Sequence, residues 1–98
     1  MDTKGLRFEW DEIKAEHNVR KHHVLLAEAA TVFGDALSIT IADTKHSRNE
    51  DRYVTLGVSD RQRLLVVVHA ERGETIRLIS ARKANSRERK QYEEGTEQ

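Results

Sequence analysis

One stretch of this 98-residue chain has to lie inside the folded protein. Leu64 to Val68 reads LLVVV and runs on into His69 and Ala70. Unbroken apolar character, as opposed to alternation, marks a strand covered on both faces. The run is far too short to span a bilayer, so protein must cover it, with neighbouring strands at its sides and further elements above and below. The rest of the sequence divides by how it can serve that strand.

Three more strands flank it. Arg52 to Val58 alternates, with Val54, Leu56 and Val58 inward, and Leu37 to Ala42 alternates with Leu37, Ile39 and Ile41 on one face. Thr75 to Ser80 is the last strand. The links Ser59 to Gln62 and Glu71 to Glu74 are short enough for hairpins, so the four strands form an antiparallel meander. Arg7 to Trp10 is a short first strand. Asp11 caps a helix that runs to about His22, and on it Lys14, Asn18, Lys21 and His22 share a narrow arc. Leu25 to Phe33 places Leu26, Ala29, Ala30 and Phe33 at helical spacing. No capping side chain stands at its start, and Gly34 is expected to end it in the left-handed conformation. Asn85, with Glu88 three residues on, opens a final helix by a capping box; its one large side chain is Tyr92. The expected architecture is one α+β domain over residues 1–98, ordered from about 7 to 94, in the order β-α-α-β-β-β-β-α, an antiparallel sheet with helices on one face.

Composition narrows the function. There is no cysteine, hence no disulfide and no thiolate metal site. The N-terminal residues lack the apolar core of a signal peptide, and a cytoplasmic protein is expected. Lys plus Arg is 17 and Asp plus Glu is 17, a balance that counts mildly against nucleic-acid binding. The segment Arg82 to Lys90 is nonetheless locally basic, and a basic patch attracts phosphate even on a neutral protein.

Of the five histidines, His17, His22 and His23 do not share a helical face, so no metal site is expected from them. His69, on the buried strand, reads as a hydrogen-bonded core residue. His46 sits in a charged loop with Ser47, Glu50 and Arg52. An imidazole with its ordinary pKa of about 6.5 suits proton transfer at neutral pH, although composition alone favours an ordinary solvated hairpin. Arg77 lies in an otherwise apolar strand and needs solvent or a partner. Either Glu50 or Glu71 pairs with it, or the open sheet face binds phosphate, and Arg52, Arg72 and Arg82 can reach the same surface.

Two segments, HSxxExR (His46, Ser47, Glu50, Arg52) and IRxISARxA…ER…YE (Ile76 to Glu93), are similar to the BrnT family of bacterial type II toxins, and the similarity runs from about Arg7 to Gly95. The family usually has glycine where this chain has His23, and Ser-Phe where it has Leu25 and Leu26. The resemblance implies a RelE-like fold and a toxin that cleaves RNA and halts translation. It implies neutralisation by a cognate BrnA-like ribbon-helix-helix antitoxin, with operator DNA bound only through that complex and no membrane role. On this reading His46, Glu50, Arg52 and Arg77 are catalytic and Lys21, His22, Arg72 and Arg82 hold substrate. Attack by the RNA 2′-hydroxyl requires no metal or cofactor. The alternative is a non-catalytic module that acts only through a partner protein.

Overall fold

The computed structural model describes residues 5–47 and 50–96. A five-stranded sheet carries the fold, with β1 (Arg7–Glu9), β2 (Ile39–Ala42), β3 (Arg52–Val58), β4 (Leu64–Arg72) and β5 (Thr75–Lys83) in the spatial order β1-β5-β4-β3-β2. Strands β2 to β5 form the expected antiparallel meander. Strand β1 instead pairs parallel with β5, Phe8 opposite Ile76, so the sheet is mixed and not purely antiparallel. A parallel partner returns from a distant part of the chain, and alternation within either strand does not record it.

Strand β4 is central and covered on both faces. Leu65 and Val67 face one side, against Val24, Leu26, Ala29, Val32 and Phe33. These come from the link between α1 (Glu12–His22) and α2 (Leu26–Ala30), from α2 itself and from the 3-10 turn Thr31–Gly34, with Ala15 of α1 packed against the same cluster. Gly57 of β3 permits this approach, because a Cβ there would stand 2.7 Å from a methyl of Val32. Leu64 and Val66 face the other side and pack with Leu56, Val54, Val58 and Tyr92 of α3 (Ser86–Thr96). Helices therefore lie on both faces, which corrects the one-face arrangement read from sequence. Tyr92 is the only large apolar group of α3, too little to reveal which face that helix covers.

Local signals explain most boundaries. Asp11 accepts hydrogen bonds from the amides of Ile13 and Lys14 and starts α1. His23 ends it at φ 58°, in the left-handed region that favours the glycine usual in the family. Helix α2 has no side-chain cap, in keeping with Leu25 at its start. Gly34 is not left-handed; the helix tightens into the 3-10 turn and leaves through extended Asp35. Asn85 and Glu88 exchange amide bonds at 2.9 and 2.8 Å, a reciprocal capping box.

Two polar groups lie deep among these apolar contacts. Glu28 is buried and receives Arg63 and the Ser59 hydroxyl (2.7 Å). The Arg63 guanidinium holds its carboxyl below the usual range. This pairing joins α2 to the β3–β4 turn and was not foreseen from sequence. His69 is fully buried, with Nε2 2.7 Å from the Thr55 hydroxyl, which in turn meets Thr40. Its ring stands edge-on to Phe33 and stacks near Tyr53. It is the hydrogen-bonded core histidine that the sequence indicated.

Burial lowers the His69 pKa from 6.5 to about 4. Between those values the unfolded chain holds a proton that the folded chain does not, so stability falls as pH falls. The loss approaches about 3 kcal/mol by the lower end. Urea titrations of wild type and His69→Phe should diverge across that window, with the variant the flatter. Parallel profiles would show that the His69 pKa is not lowered in the folded protein.

Candidate active site

The register of the sheet sets one row of side chains across it. Arg52 on β3 stands opposite Ala70 on β4, Ala70 opposite Arg77 on β5, and Arg77 opposite Glu9 on β1. Asp43 extends the row past β2, since its amide donates to the Arg52 carbonyl at 2.8 Å. Partners in register point to the same face, so these side chains crowd together. Small, fully buried Ala70 lies between the two arginines. Arg72, two residues beyond Ala70, joins the row from the same face.

Three guanidiniums this close repel, and two carboxylates offset them. Glu50 accepts from Arg72 at 2.7 and 3.2 Å. Glu9 lies 3.7 Å from Arg72 and 3.5 Å from Arg77. The expected partner of Arg77, Glu50 or Glu71, is thus replaced by Glu9 from the parallel strand, while Glu50 takes Arg72. Hydrogen bonding from Arg72, with the fields of Arg52 and Arg77, keeps the Glu50 carboxyl below its ordinary range. Glu50 is therefore ionised and a weak base. Arg52 is the exception in the row, because its buried Nε–H has no hydrogen-bond acceptor among the described residues. A buried donor without a partner is costly and rare, and here it belongs to a cation on an otherwise open face.

The β2–β3 loop brings His46 to this row. Nδ1 of His46 lies 3.0 Å from an Asp43 carboxylate oxygen. The ring is otherwise exposed, with 66% of its side-chain surface open. Nδ1–H facing the carboxylate leaves Nε2 as a free acceptor directed to solvent. The Ser47 hydroxyl laces the loop closed, donating to the Asp43 carbonyl (2.6 Å) and accepting from the Arg52 amide (2.9 Å). Each residue of HSxxExR thereby has a structural role at one place. Arg48 and Asn49 of the same loop lie outside the described residues.

The other sequence-selected residues sit elsewhere. Arg82, at the far end of β5, is bound to Glu88 by two hydrogen bonds of 2.8 and 2.7 Å and fixes the start of α3. Lys21 and His22 line a cleft between α1 and β5, away from the arginine row. His17 lines it too, although His17 and His22 do not share a helical face, since the cleft spans more than one face of α1. Asp43 and Glu9 are the residues that sequence reasoning missed. Asp43 directly precedes the loop and was legible as a carboxylate three residues from His46; Glu9 was not, since only parallel pairing brings it here.

A mixed α+β sheet that gathers guanidiniums on an uncovered end, beside a carboxylate-oriented imidazole, defines a small protein suited to handling anions. The sequence model of the family described as "Ribonuclease toxin, BrnT, of type II toxin-antitoxin system" matches residues 10–88, and the chain belongs to that family. The fold agrees with the crystal structure of the Brucella abortus ribonuclease toxin BrnT, at a TM-score of 0.63 and 19% identity over 83% of this chain and 99% of that one. No curated protein sequence matches. Membership in a toxin–antitoxin family implies an antitoxin as partner. No described helix is long and apolar enough to cross a membrane.

An anion that satisfies Arg52 should stabilise the fold by mass action. Sulfate should raise the melting temperature of wild type more than that of Arg52→Met, after matching ionic strength with chloride. The variant alone should melt no lower than wild type, since it removes a buried donor and a repelling charge. Equal sulfate increments would show that the row binds no anion at Arg52.

Proposed function

We propose that this chain is a metal-independent endoribonuclease toxin that halts translation by cutting RNA in the cytoplasm. The observation that carries the reading is the row Asp43–Arg52–Ala70–Arg77–Glu9 with an Arg52 donor that has no acceptor among the described residues. RNA carries its own nucleophile, and the row supplies the remaining requirements. His46 Nε2 takes the proton of the 2′-hydroxyl, with the imidazolium stabilised through Nδ1–H by Asp43. The 2′-oxygen–phosphorus bond forms as the bond to the 5′ oxygen breaks, leaving a 2′,3′-cyclic phosphate. Arg52 and Arg77 take the charge that builds on the phosphoryl oxygens. Arg72 and Glu50 hold each other in place beside them, so Glu50 serves as a positioning residue and not as the base. Solvent protonates the departing 5′ oxygen on this open face.

A BrnA-like ribbon-helix-helix antitoxin is the partner that this reading calls for, with operator DNA bound only by the complex. A second reading, a non-catalytic module that works solely through a partner, draws on an apolar groove between β2 and α3. Ile39, Ile41, Val54 and Leu56 line it, with Gln91 at its rim, and Ile41 is 61% exposed. Both readings require the partner, and only cleavage separates them.

The test is digestion of bulk RNA by the purified chain in excess EDTA, with end-group analysis. Wild type should leave cyclic phosphate ends. His46→Ala and Arg77→Ala should lose roughly a hundredfold or more in rate with unchanged melting curves. Arg77→Lys should lose most of the rate as well, because an ammonium cannot make the forked contact. Undiminished cleavage by the Arg77 variants would remove the phosphate role, and wild-type activity of His46→Ala would remove the base. Cleavage by no protein, with translation unaffected in a cell-free system, would leave the binding module.

A further inference from the structure

Strand β1 pairs with β5 only from Thr75 to Arg77, while β5 continues to Lys83. Past Arg77 the outer edge of β5 has no strand beside it, and α1 takes that place. Buried Asn18 acts as the missing strand, accepting from the Ala81 amide (3.0 Å) and donating to the Ala81 carbonyl (2.9 Å) and the Val24 carbonyl (2.8 Å). The β4–β5 register shifts here, with Val68 opposite Ser80 and His69 opposite Leu78, so Ile79 is left over. A helix standing off a bulged edge leaves a cleft, of about 290 Å³, between the two.

Lys14, His17, Lys21 and His22 line one wall of that cleft, with Ile79 and Ser80 on the other, and no carboxylate lines it. Neither lysine forms a salt bridge among the described residues. This differs from the arginine row, where Glu9 and Glu50 offset the cations. Two turns of helix separate Lys14 from Lys21, or about 10 Å. Cations spaced along a groove track a phosphate backbone.

We propose that the α1–β5 cleft is a phosphate-binding track that holds single-stranded RNA to one side of the bond cut at the arginine row, through Lys14 and Lys21 with His17 and His22 beside them. The inference rests on the ribonuclease reading and extends it to where the rest of the strand lies. The track supplies binding that is equal for substrate and transition state, so its loss raises KM and leaves kcat in place.

The experiment measures binding of a 2′-O-methyl RNA oligonucleotide, which lacks the nucleophile and stays intact, by fluorescence anisotropy across a salt series. The proteins are wild type, Lys14→Gln/Lys21→Gln, and the charge-matched Arg87→Gln/Lys90→Gln on α3. Loss of two phosphate contacts should reduce the slope of log affinity against log salt by about 1.4 and weaken binding roughly tenfold at moderate salt. The α3 variant should match wild type. On cleavable RNA the lysine variant should show a raised KM and an unchanged kcat. Affinity and slope unchanged in the lysine variant, or an equal loss in the α3 variant, would overturn the track. These outcomes differ from failure of the ribonuclease reading itself: a wild type that binds the oligonucleotide through these lysines but cuts no RNA would retain the track and discard the chemistry.

Discussion

Double-sided burial of β4 is the constraint from which the rest follows. Leu64 to Val67 are all buried, and alternation sends half of them to each face, so one layer of helices cannot suffice. The layer of α1, α2 and the 3-10 turn is thick, with Val24, Leu26, Ala29, Val32 and Phe33 on Leu65 and Val67. The opposite layer is a single helix with one large apolar side chain, Tyr92. That helix covers the β3–β4 end of its face near Leu56 and Leu64 and stops short of Ala70. The uncovered part of the face is where the strands turn from apolar to cationic. The location of the arginine row is thus a consequence of how little α3 has to bury.

Like charges facing each other on adjacent strands destabilise a sheet, and this sheet places Arg52 and Arg77 on either side of one alanine. The cost is offset from two directions. Strand β1 joins in parallel and brings Glu9 to Arg77 and Arg72, and the β2–β3 loop brings Glu50 to Arg72. All of these pairs are substantially exposed, so each contributes little to stability. Their effect is geometric, since they fix Arg72 and Arg77 against Glu9 and Glu50. The buried pair Glu28–Arg63 has the opposite character. Three hydrogen-bond donors converge on Glu28, and removal of Arg63 would leave a buried charge without its partner, a loss of several kcal/mol.

What could be read in the sequence was local. The Asp11 cap, the Asn85–Glu88 box, the limits of β3, the buried His69 and the helical arc of Lys14, Asn18 and Lys21 all depend on residues a few positions apart. What escaped was set by distant chain: the parallel return of β1, the pairing of Arg77 with Glu9, the face chosen by α3, and Glu28 with Arg63. Gly34 is a different kind of failure. A glycine after an apolar helical stretch signals a left-handed stop, but Val32 and Phe33 must both reach the core, and a 3-10 turn places them there without it. Within the site, HSxxExR was legible as a charged loop, and similarity to a family, not composition, gave it meaning.

The division of labour in the row follows from where its parts are anchored. Arg52, Arg72, Arg77 and Glu9 stand on strands whose register is fixed by the core, so their positions need no reorganisation when charge develops nearby. His46 and Glu50 come from a loop, the one part of the site free of core packing. That loop is held at its base by backbone and hydroxyl bonds from Asp43 and Ser47 to Arg52. The same carboxylate that orients His46 belongs to the residue that pairs with Arg52 across the sheet. On the proposed reading, proton-handling and charge-stabilising groups therefore share one hydrogen-bonded junction. A shift at Asp43 would move the imidazole relative to the guanidiniums without disturbing the core, so in the proposed mechanism Asp43 is the residue through which the sheet sets the geometry of the site.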